Sequence, residues 1–472
     1  MNIAELIAIA PITLLTLVSI IVLLFESLLK ESEKSSYLVS FIGLTLCGFF
    51  SLSTLDLTGT VFNNMITVGG LGNLFAGLFS IAALLTIILS RDYLRKEHVH
   101  FGEFYLLILF STLGMMLMAS AADLIMLFLG LELMSICLYV LAGFMRTRVL
   151  SNEASLKYFL LGAFATGFLL YGIALLYGAS GTTHIATIVS NVSSLSSSPF
   201  FWIGLAFLLI GLSFKIGAVP FHMWVPDVYQ GSPTTITGFM ATGAKAAAFS
   251  AFVVVIAHQQ FEGYAKLKII LAVLAGASMI IGNIIAISQS NIKRMLAYSS
   301  IAHAGYMLVG LASGNQLGRS GVLFYIVSYT FMNLGAFGVL SLLEEEGEKN
   351  LSFDDYAGLS SKKPFLAAVM SIFMISLAGI PPFAGFFGKY YVFLAAVNAD
   401  LTWLAILGVM TSVISVYYYL RLVMMMYFRE SERQITISFS NASMSVLMIV
   451  AFVVVGLGIL PSTLLSVINR LY

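Results

Sequence analysis

Residues 201–221, FWIGLAFLLIGLSFKIGAVPF, decide the fold class of this chain. A helix needs about 20 apolar residues to cross a bilayer core of ~30 Å, and this stretch supplies them. It contains one charged residue, Lys215, and one proline, Pro220, five positions later. The stretch therefore predicts a membrane-spanning helix that carries a charge inside it and breaks soon afterwards.

The composition of the whole chain agrees with a membrane protein. Of 472 residues, 60% are hydrophobic and 10% are charged, with a formal net charge of +1. Because soluble domains carry roughly 25% charged residues, soluble enzymes and disordered chains are excluded. No basic excess is present to bind nucleic acid. The only two cysteines, Cys47 and Cys137, exclude a disulfide scaffold, a cysteine zinc site and an iron–sulfur cluster.

Apolar runs long enough to span a membrane recur along the chain, and two polar segments separate some of them. The fourteen predicted runs are 5–28, 37–55, 70–90, 101–120, 122–145, 155–178, 200–229, 234–257, 268–287, 294–313, 320–343, 364–397, 403–428 and 442–464. The acid-rich segment 344–363 and the serine-rich segment 190–198 are interpreted as solvated loops. The sequence therefore predicts an all-α polytopic membrane protein with about 14 transmembrane helices.

The distribution of basic residues predicts the orientation. Fourteen Lys and Arg residues fall on one set of connections, four on the other, and five inside the runs. Positively charged loops stay on the cytoplasmic side. We therefore expect a multi-pass protein of the bacterial inner (cytoplasmic) membrane with both termini on the outer side.

Four charged residues lie near the middle of predicted spans, where a charge costs about 2.5–3.5 kcal/mol. These central residues are Glu132, Lys215, Lys245 and Lys389. Burial favours the neutral form of an amine, whereas a nearby carboxylate favours its charged form. A static ion pair is the alternative interpretation, but one glutamate cannot neutralise three lysines. The pattern therefore favours proton conduction.

Other titratable residues are weaker candidates. Lys157 lies nearer a span end and is interpreted as structural or functional, whereas Arg421 is interpreted as structural. His303, inside the tenth run, either relays protons or hydrogen-bonds a neighbouring helix. His222, beside Pro220, is a secondary candidate for a structural or relaying role. The remaining histidines are assigned to loops or interfaces, without metal-ligand spacing.

Two of the runs are too long for one straight helix, and both contain prolines near the middle. Pro220 and Pro226 interrupt the seventh run, and Pro381 and Pro382 interrupt the twelfth. Proline removes a backbone donor and clashes with the preceding turn. Paired broken segments in the two halves of a transporter indicate its ion pathway. Each half is therefore expected to contain one broken helix.

The two halves also align weakly with each other. Gly217-Ala-Val-Pro-Phe221 matches Gly379-Ile-Pro-Pro-Phe383, and Tyr139 and Tyr158 precede the first motif as Tyr306 and Tyr325 precede the second. Because the offset is five spans, the two units are predicted to be inverted five-helix repeats. The predicted organisation is a three-helix extension (1–100), a first repeat (101–257), a second repeat (268–428) and a C-terminal span (429–472).

Three longer motifs carry a resemblance to a known family. They are residues 214–233, FKIGAVPFHMWVPDVYQGSP, residues 293–306, KRMLAYSSIAHAGY, and residues 376–389, SLAGIPPFAGFFGK. Together they resemble the antiporter-like membrane subunits of NADH–quinone oxidoreductase, respiratory complex I, and the likeness covers nearly the whole chain. Within that family the chain is similar to the subunit N branch. The L branch has a long lateral helix after the last span, and none is expected here; Lys389 stands where the M branch has glutamate.

The resemblance implies both a site and an assembly. The family's proton-path residues fall on Glu132, Lys215, Lys245, His303 and Lys389. It implies that opening or closing a Glu132–Lys215 pair drives protons along Lys245 and His303 toward Lys389. No cofactor is expected on this chain, since FMN, iron–sulfur clusters, NADH and quinone would be bound by other subunits. The expected partners are a neighbouring antiporter-like subunit, small membrane subunits and the lipid bilayer.

Three alternative functions remain open from the sequence. A subunit of a multi-subunit Na+/H+ antiporter shares this fold and differs mainly in its partners. A free-standing solute carrier would need polar and aromatic groups around a substrate at mid-membrane. A subunit that had lost conduction would have no reason to retain costly central charges.

Overall fold

The computed structural model is a bundle of helices and describes residues 7–29, 32–258, 261, 264–347, 349–430 and 440–471. The start of the first predicted span, with Glu5, therefore lies outside the described residues. The helices of the N-terminal part and the first predicted repeat are α1 (Ala10–Leu28), α2 (Glu33–Ser53), α3 (Gly70–Lys96), α4 (Glu103–Ala119), α5 (Leu124–Ala142), α6 (Val149–Ser180), α7 (Ile185–Ser190), α8 (Val192–Leu195), α9 (Pro199–Ile216), α10 (Val225–Gly231), α11 (Thr234–Phe239) and α12 (Lys245–Ile256).

The second half is helical as well. Its helices are α13 (Ala265–Ile287), α14 (Ile292–Ser313), α15 (Gln316–Leu343), α16 (Leu359–Lys362), α17 (Pro364–Ala378), α18 (Ala384–Val397), α19 (Thr402–Phe428), α20 (Asn441–Ile459) and α21 (Pro461–Arg470). A π-helical segment, Met240–Ala244, joins α11 to α12, and a 3-10 helix spans Phe353–Tyr356. Strands β1 (Thr60–Val61) and β2 (Ile66–Thr67) form a short antiparallel pair.

Most of these helices follow the predicted apolar runs. In the described part of the chain, twelve helices are long and apolar enough to cross a membrane, with α11 and α12 counted as one. Three shorter apolar helices, α4, α17 and α18, complete the set. The predicted all-α polytopic fold is confirmed. The sequence predicts fourteen crossings. That number is reached if α4 is added to the twelve long helices as one crossing and the broken pair α17–α18 as another.

The two predicted helix breaks have the same local geometry. Helix α9 ends at Gly217 with a φ of 71°, and α17 ends at Gly379 with a φ of 84°. Cis peptide bonds follow at Val219–Pro220 and Pro381–Pro382. Glycine adopts positive φ without steric cost, so it ends both helices in the left-handed conformation.

Four expectations about local structure need correction. Pro226 does not break a helix but lies in the first turn of α10, where its missing N–H costs nothing. The serine-rich segment is not simply a loop, since it contains α8. The acid-rich segment contains the 3-10 helix and α16, and its first residue, Glu344, is fully buried. The last predicted span is followed by a further amphipathic helix, α21.

The centre of the bundle is formed by the last helices of the first predicted repeat together with two helices of the second. Helices α11–α12, α14 and α15 are buried along nearly their whole length. In contrast, α1, α2, α6, α19 and α20 expose many large apolar side chains. A helix that is apolar on its outer face meets lipid or another protein chain. The helix bundle thus has an apolar exterior and a mainly apolar core, within which a smaller set of polar and charged residues is buried.

Candidate functional site

Lys215 lies in the last turn of α9, immediately before the first break. Its side chain is buried, and Nζ donates hydrogen bonds to Ser135 Oγ at 2.7 Å and to the Tyr139 hydroxyl at 3.2 Å. The ring of Tyr158 lies 5.8 Å from Nζ and stacks on Trp224. An amine held only by neutral partners can exist with or without its proton.

Glu132 lies three residues before Ser135, and therefore on the same side of α5. Its Oε1 atom is buried without a hydrogen-bond partner among the described residues. No ion pair joins it to Lys215, whose hydrogen bonds go to Ser135 and Tyr139. The predicted Glu132–Lys215 pair is therefore not a direct ion pair in this structure, in which Lys215 is bonded to Ser135 and Tyr139 instead.

Lys245 follows the π-helical segment directly. This buried lysine donates to the Ser300 carbonyl oxygen at 2.8 Å and to the Ser300 hydroxyl, both on α14. Its Nζ lies 6.0 Å from the ring centroid of Tyr329. A π-helical turn widens the backbone locally and is frequent at functional sites. The sequence contains no signal that predicts this segment.

His303 is fully enclosed by tyrosines. Its Nδ1 hydrogen-bonds with the Tyr325 hydroxyl at 2.8 Å, and its Nε2 with the Tyr419 hydroxyl at 3.0 Å. Tyr419 also hydrogen-bonds with Ser299, the residue before the partner of Lys245. A neutral imidazole donates at one nitrogen and accepts at the other, so this arrangement can pass a proton through the ring.

Lys389 lies beside the second break, and its side chain is hydrogen-bonded to the end of the preceding helix, α17. Nζ donates to the carbonyl oxygens of Leu377 at 3.1 Å and Ala378 at 2.8 Å, and to Ser412 Oγ at 2.8 Å. The last carbonyls of a helix lack partners within it and carry partial negative charge. The break thus supplies acceptors that a continuous helix would not. Tyr306 lies 5.0 Å away with its ring toward Nζ.

At the first break, the helix end is hydrogen-bonded to a tryptophan and not to the lysine. There the Phe214 carbonyl oxygen accepts a hydrogen bond from the Trp224 indole N–H at 2.9 Å. The indole takes over one of the acceptors at the end of α9. Lys215 is therefore directed to the hydroxyls of α5 rather than to its own helix end.

A second set of polar residues joins the histidine region to Lys389. The Asn283 side chain donates to the Tyr306 hydroxyl at 3.0 Å and accepts from the Tyr418 hydroxyl at 2.8 Å. Both tyrosines are buried, next to Lys389 and Tyr419 respectively. Buried polar groups need partners, and here they provide them for one another.

The three buried lysines share one electrostatic property. Among the described residues, none of Lys215, Lys245 and Lys389 forms an ion pair with a carboxylate. All three lie near hydroxyls and aromatic rings, and Lys245 and Lys389 also donate to backbone carbonyl oxygens. Such neutral partners stabilise an ammonium group less than a carboxylate would.

The secondary candidates lie outside this interior. Lys157 forms ion pairs with Glu153 and Asp227, both at 2.6 Å, and Asp227 also pairs with Arg294 at 2.7 Å. Arg421 donates to a backbone carbonyl and packs 4.3 Å from the Phe353 ring. His222 lies half-buried in the first break, and its Nδ1 has no hydrogen-bond partner among the described residues. No group of three potential metal ligands occurs in the described part.

Sequence reasoning missed most of the neutral groups in the interior. It matched Tyr139, Tyr158, Tyr306 and Tyr325 only as repeat markers, and it did not single out Tyr329, Tyr419, Asn283, Ser135 or Ser300. Tyrosines are common at membrane interfaces, so their presence in apolar runs does not by itself indicate burial. Polar residues on one helical face of each run would have been the usable signal.

The sequence matches known proteins over most of its length. Residues 121–415 match the family described as NADH:quinone oxidoreductase/Mrp antiporter, TM. An "NADH-quinone oxidoreductase subunit N" of Trichlorobacter lovleyi is 50% identical, over 87% of this chain and 85% of the relative. An "NADH-quinone oxidoreductase subunit N 1" of Chloroherpeton thalassium is 48% identical, over 95% of this chain and 94% of the relative.

Solved structures match the fold. A chain of respiratory complex I from Thermus thermophilus with bound aureothin has a TM-score of 0.84 at 35% identity, covering 97% of this chain and 98% of that chain. A chain of the Mrp complex from Dietzia sp. has a TM-score of 0.83 at 19% identity, covering 98% and 97% respectively. At that identity, the second likeness concerns the fold alone.

Proposed function

The chain belongs to the NADH-quinone oxidoreductase subunit N family, and on this premise we propose that it is a proton-translocating membrane subunit of respiratory complex I. The observation that carries the proposal is the row of buried groups with neutral partners: Lys215, Lys245, His303 and Lys389. The chain acts as part of an NADH:quinone oxidoreductase. Its own residues move protons and bind no redox group.

The switch of this pathway is the Glu132–Lys215 pair. A carboxylate close to an amine stabilises the ammonium form, whereas burial without it favours the neutral amine. Ser135 holds Lys215 one helical turn from Glu132, so a side-chain movement is enough to exchange the two partners. Closing the pair keeps the proton on Lys215, and opening it favours release toward Lys245.

Transfer beyond Lys215 uses the groups described above. Lys245 passes its proton to the hydroxyl and imidazole groups around Ser300, Tyr419 and His303, assisted by water. Lys389 is the last acceptor and is held by the carbonyls of the second break. Two inverted repeats, 101–257 and 268–428, each contribute one broken helix to this route, and the left-handed glycine that ends both α9 and α17 supports the repeat assignment.

Electron transfer takes place on other subunits of the assembly. FMN, the iron–sulfur clusters, NADH and quinone are assigned to them. The partners of this chain are a neighbouring antiporter-like subunit, small membrane subunits and lipid. The location is the bacterial inner membrane, and both termini lie on the outer side because fourteen loop Lys and Arg residues fall on the other face.

Purification of the native complex through a tag on this chain tests the assignment. The proposal predicts that dehydrogenase and iron–sulfur subunits co-purify and that the preparation oxidises NADH with quinone. The family match also includes Mrp antiporters, so a Na+/H+ antiporter subunit is the second candidate. Co-purification of small antiporter subunits without a dehydrogenase would overturn the complex I assignment.

A further inference from the structure

A buried carboxyl group lies at one end of the bundle, where α3 and α15 finish and α11 begins. Glu344, which follows the last residue of α15, is 0% exposed. Its Oε2 accepts a hydrogen bond from the hydroxyl of Thr234, the first residue of α11. Because α11 continues through the π-helical segment into α12, this carboxyl is bonded to the start of the helix that carries Lys245.

Lys96, the last residue of α3, lies between this carboxyl and solvent. Its Nζ is 3.9 Å from Glu344 Oε1, beyond hydrogen-bond distance. It donates instead to the backbone oxygens of Ser341 at 2.9 Å and Glu344 at 2.6 Å. A cation at a helix C-terminus is favourable in itself. Lys96 therefore closes the end of α15 without forming a tight ion pair with the carboxyl.

A cavity of about 1140 Å³ opens beside these two residues. It is lined by Glu97, Arg148, Glu345 and Glu346 among others, and thus by the chain neighbours of Lys96 and Glu344. A cavity of this size with charged groups in its lining has room for many water molecules. Water in it therefore reaches Glu97 and Glu345, the chain neighbours of Lys96 and of the buried carboxyl.

Hydroxyl groups continue inward from Glu344. Thr234, Thr235, Thr237 and Thr242 are all buried along α11 and the π-helical segment. Ser90 on α3 donates to Thr235 Oγ1 at 2.9 Å. Thr237 and Thr242 donate to the backbone oxygens of Tyr229 at 3.0 Å and Gly238 at 2.7 Å. A hydroxyl also accepts hydrogen bonds and can rotate, so these groups can take part in proton transfer together with water.

We propose that Glu344 is a proton-binding group on the path by which protons reach Lys245 from this cavity. The carboxylate takes a proton from water and becomes a neutral carboxyl. The proton then passes along threonine hydroxyls and intervening water to the neutral amine of Lys245, which becomes an ammonium, and Glu344 returns to its carboxylate form. This inference rests on the proposed function of the chain.

A purely structural ion pair is the competing explanation. Burying a charged pair is costly unless the geometry is excellent, with direct hydrogen bonds between the charges. Here the hydrogen bonds of Lys96 go to backbone carbonyls, while the carboxyl takes the Thr234 hydroxyl. Among the ionisable groups nearby, Tyr356 lies close to Glu344, whereas Glu97, Arg148 and Asp92 lie close to Lys96, and Arg148 is paired with Glu97.

The test compares four substitutions in the assembled complex, reconstituted in vesicles. Glu344→Gln keeps the shape and an acceptor for Thr234 but cannot bind the proton, so proton translocation per NADH oxidised is expected to fall severalfold or coupled turnover to be lost. Glu344→Asp keeps a carboxyl and is expected to retain most of the translocation. Asp354→Asn makes the same chemical change at an exposed site of the same segment and is expected to have no effect. Lys245→Met tests the proposed function itself.

The amount of assembled complex is measured for every variant together with its proton translocation. Each outcome then decides between the explanations. Normal translocation in Glu344→Gln together with loss in Lys245→Met would overturn this inference alone. Equal loss of assembled complex in Glu344→Gln and Glu344→Asp would assign Glu344 a structural role and overturn it as well. Normal translocation in Lys245→Met would overturn the proposed function.

Discussion

At the scale of single residues, the partners of the buried lysines determine what these lysines can do. Lys389 is bonded to two helix-end carbonyls and a serine, and Lys215 to a serine and a tyrosine. Such neutral partners compensate part of the cost of burying the ammonium but do not hold it as a carboxylate would. The carboxylate of Glu132 lies one helical turn from Ser135 and forms no ion pair with Lys215. It is therefore a candidate for the group that controls the protonation of Lys215.

Substitution of Lys215 is the first prediction at this scale. Lys215→Ala removes the amine that alternates between Ser135 and Glu132, so proton translocation per electron is expected to fall severalfold or coupled turnover to stop. The measurement is proton uptake against NADH oxidation in vesicles with the assembled complex. Lys266→Ala, at an exposed lysine, is the matched control and is expected to be normal. Unchanged proton translocation in Lys215→Ala would contradict the account.

The sequence predicts these charged residues well and their surroundings poorly. A lysine within an apolar run is conspicuous, so Lys215, Lys245 and Lys389 stand out without a structure. From the sequence alone, Glu344 is predicted to be a solvated loop residue, because it begins an acidic segment. Its burial depends on the end of α3 packing over it, more than two hundred residues earlier in the chain, and no local pattern reports such a contact.

At the scale of elements, the two helix breaks are the features that position the lysines. Gly379 ends α17 with a positive φ, and a Cβ added there would lie 2.8 Å from Lys389 Cδ and 3.0 Å from Nζ. The glycine thus serves two purposes. It permits the left-handed turn, and it leaves room for the lysine beside the helix end.

Substitution of this glycine is the second prediction. Gly379→Ala is expected to cost about 1–2 kcal/mol for the left-handed backbone and to displace Lys389 from its carbonyl acceptors. Thermal unfolding of the purified complex and proton translocation should both decline. Gly178→Ala, where an added Cβ meets nothing within 4 Å in helix α6, is the control and should leave both unchanged. If Gly379→Ala had wild-type thermal unfolding and wild-type proton translocation, the break would not be what positions Lys389.

The breaks themselves were predictable, but their extent was not. Prolines in an overlong apolar run indicate an interruption, and both runs are interrupted. Pro226 gave a false signal because proline is also well suited to the first turn of a helix. The π-helical segment before Lys245 has no proline to mark it, and it packs against α15, α3 and α4, which lie far from it in the sequence.

At the scale of the whole molecule, a set of buried polar and charged groups lies within a mainly apolar core, and the periphery is apolar as well. The buried helices α11–α12, α14 and α15 carry Lys245 and His303, while α6 and α19 present apolar faces outward. Composition and span length predict this fold class, since no soluble fold could accommodate 60% hydrophobic residues. The relative placement of the helices was not predictable, because contacts between distant spans leave no local pattern.

Orientation gives the third prediction. Ser462→Cys, exposed on α21, is expected to react with a membrane-impermeant maleimide added outside the cell, and Asp354→Cys only after the inner face is opened. The two native cysteines are buried and should contribute little background. The reverse labelling pattern would contradict the assigned orientation.

The most direct test of the central claim is the proton translocation of the assembled complex carrying Lys245→Met, compared with the exposed-site variant Lys266→Met. Lys245 lies at the centre of the bundle, hydrogen-bonded to the helix that carries His303. The account predicts that Lys245→Met assembles normally but translocates severalfold fewer protons per NADH oxidised or loses coupled turnover. Lys266→Met should match the wild type. Wild-type translocation and turnover in Lys245→Met, at an equal amount of assembled complex, would contradict the account.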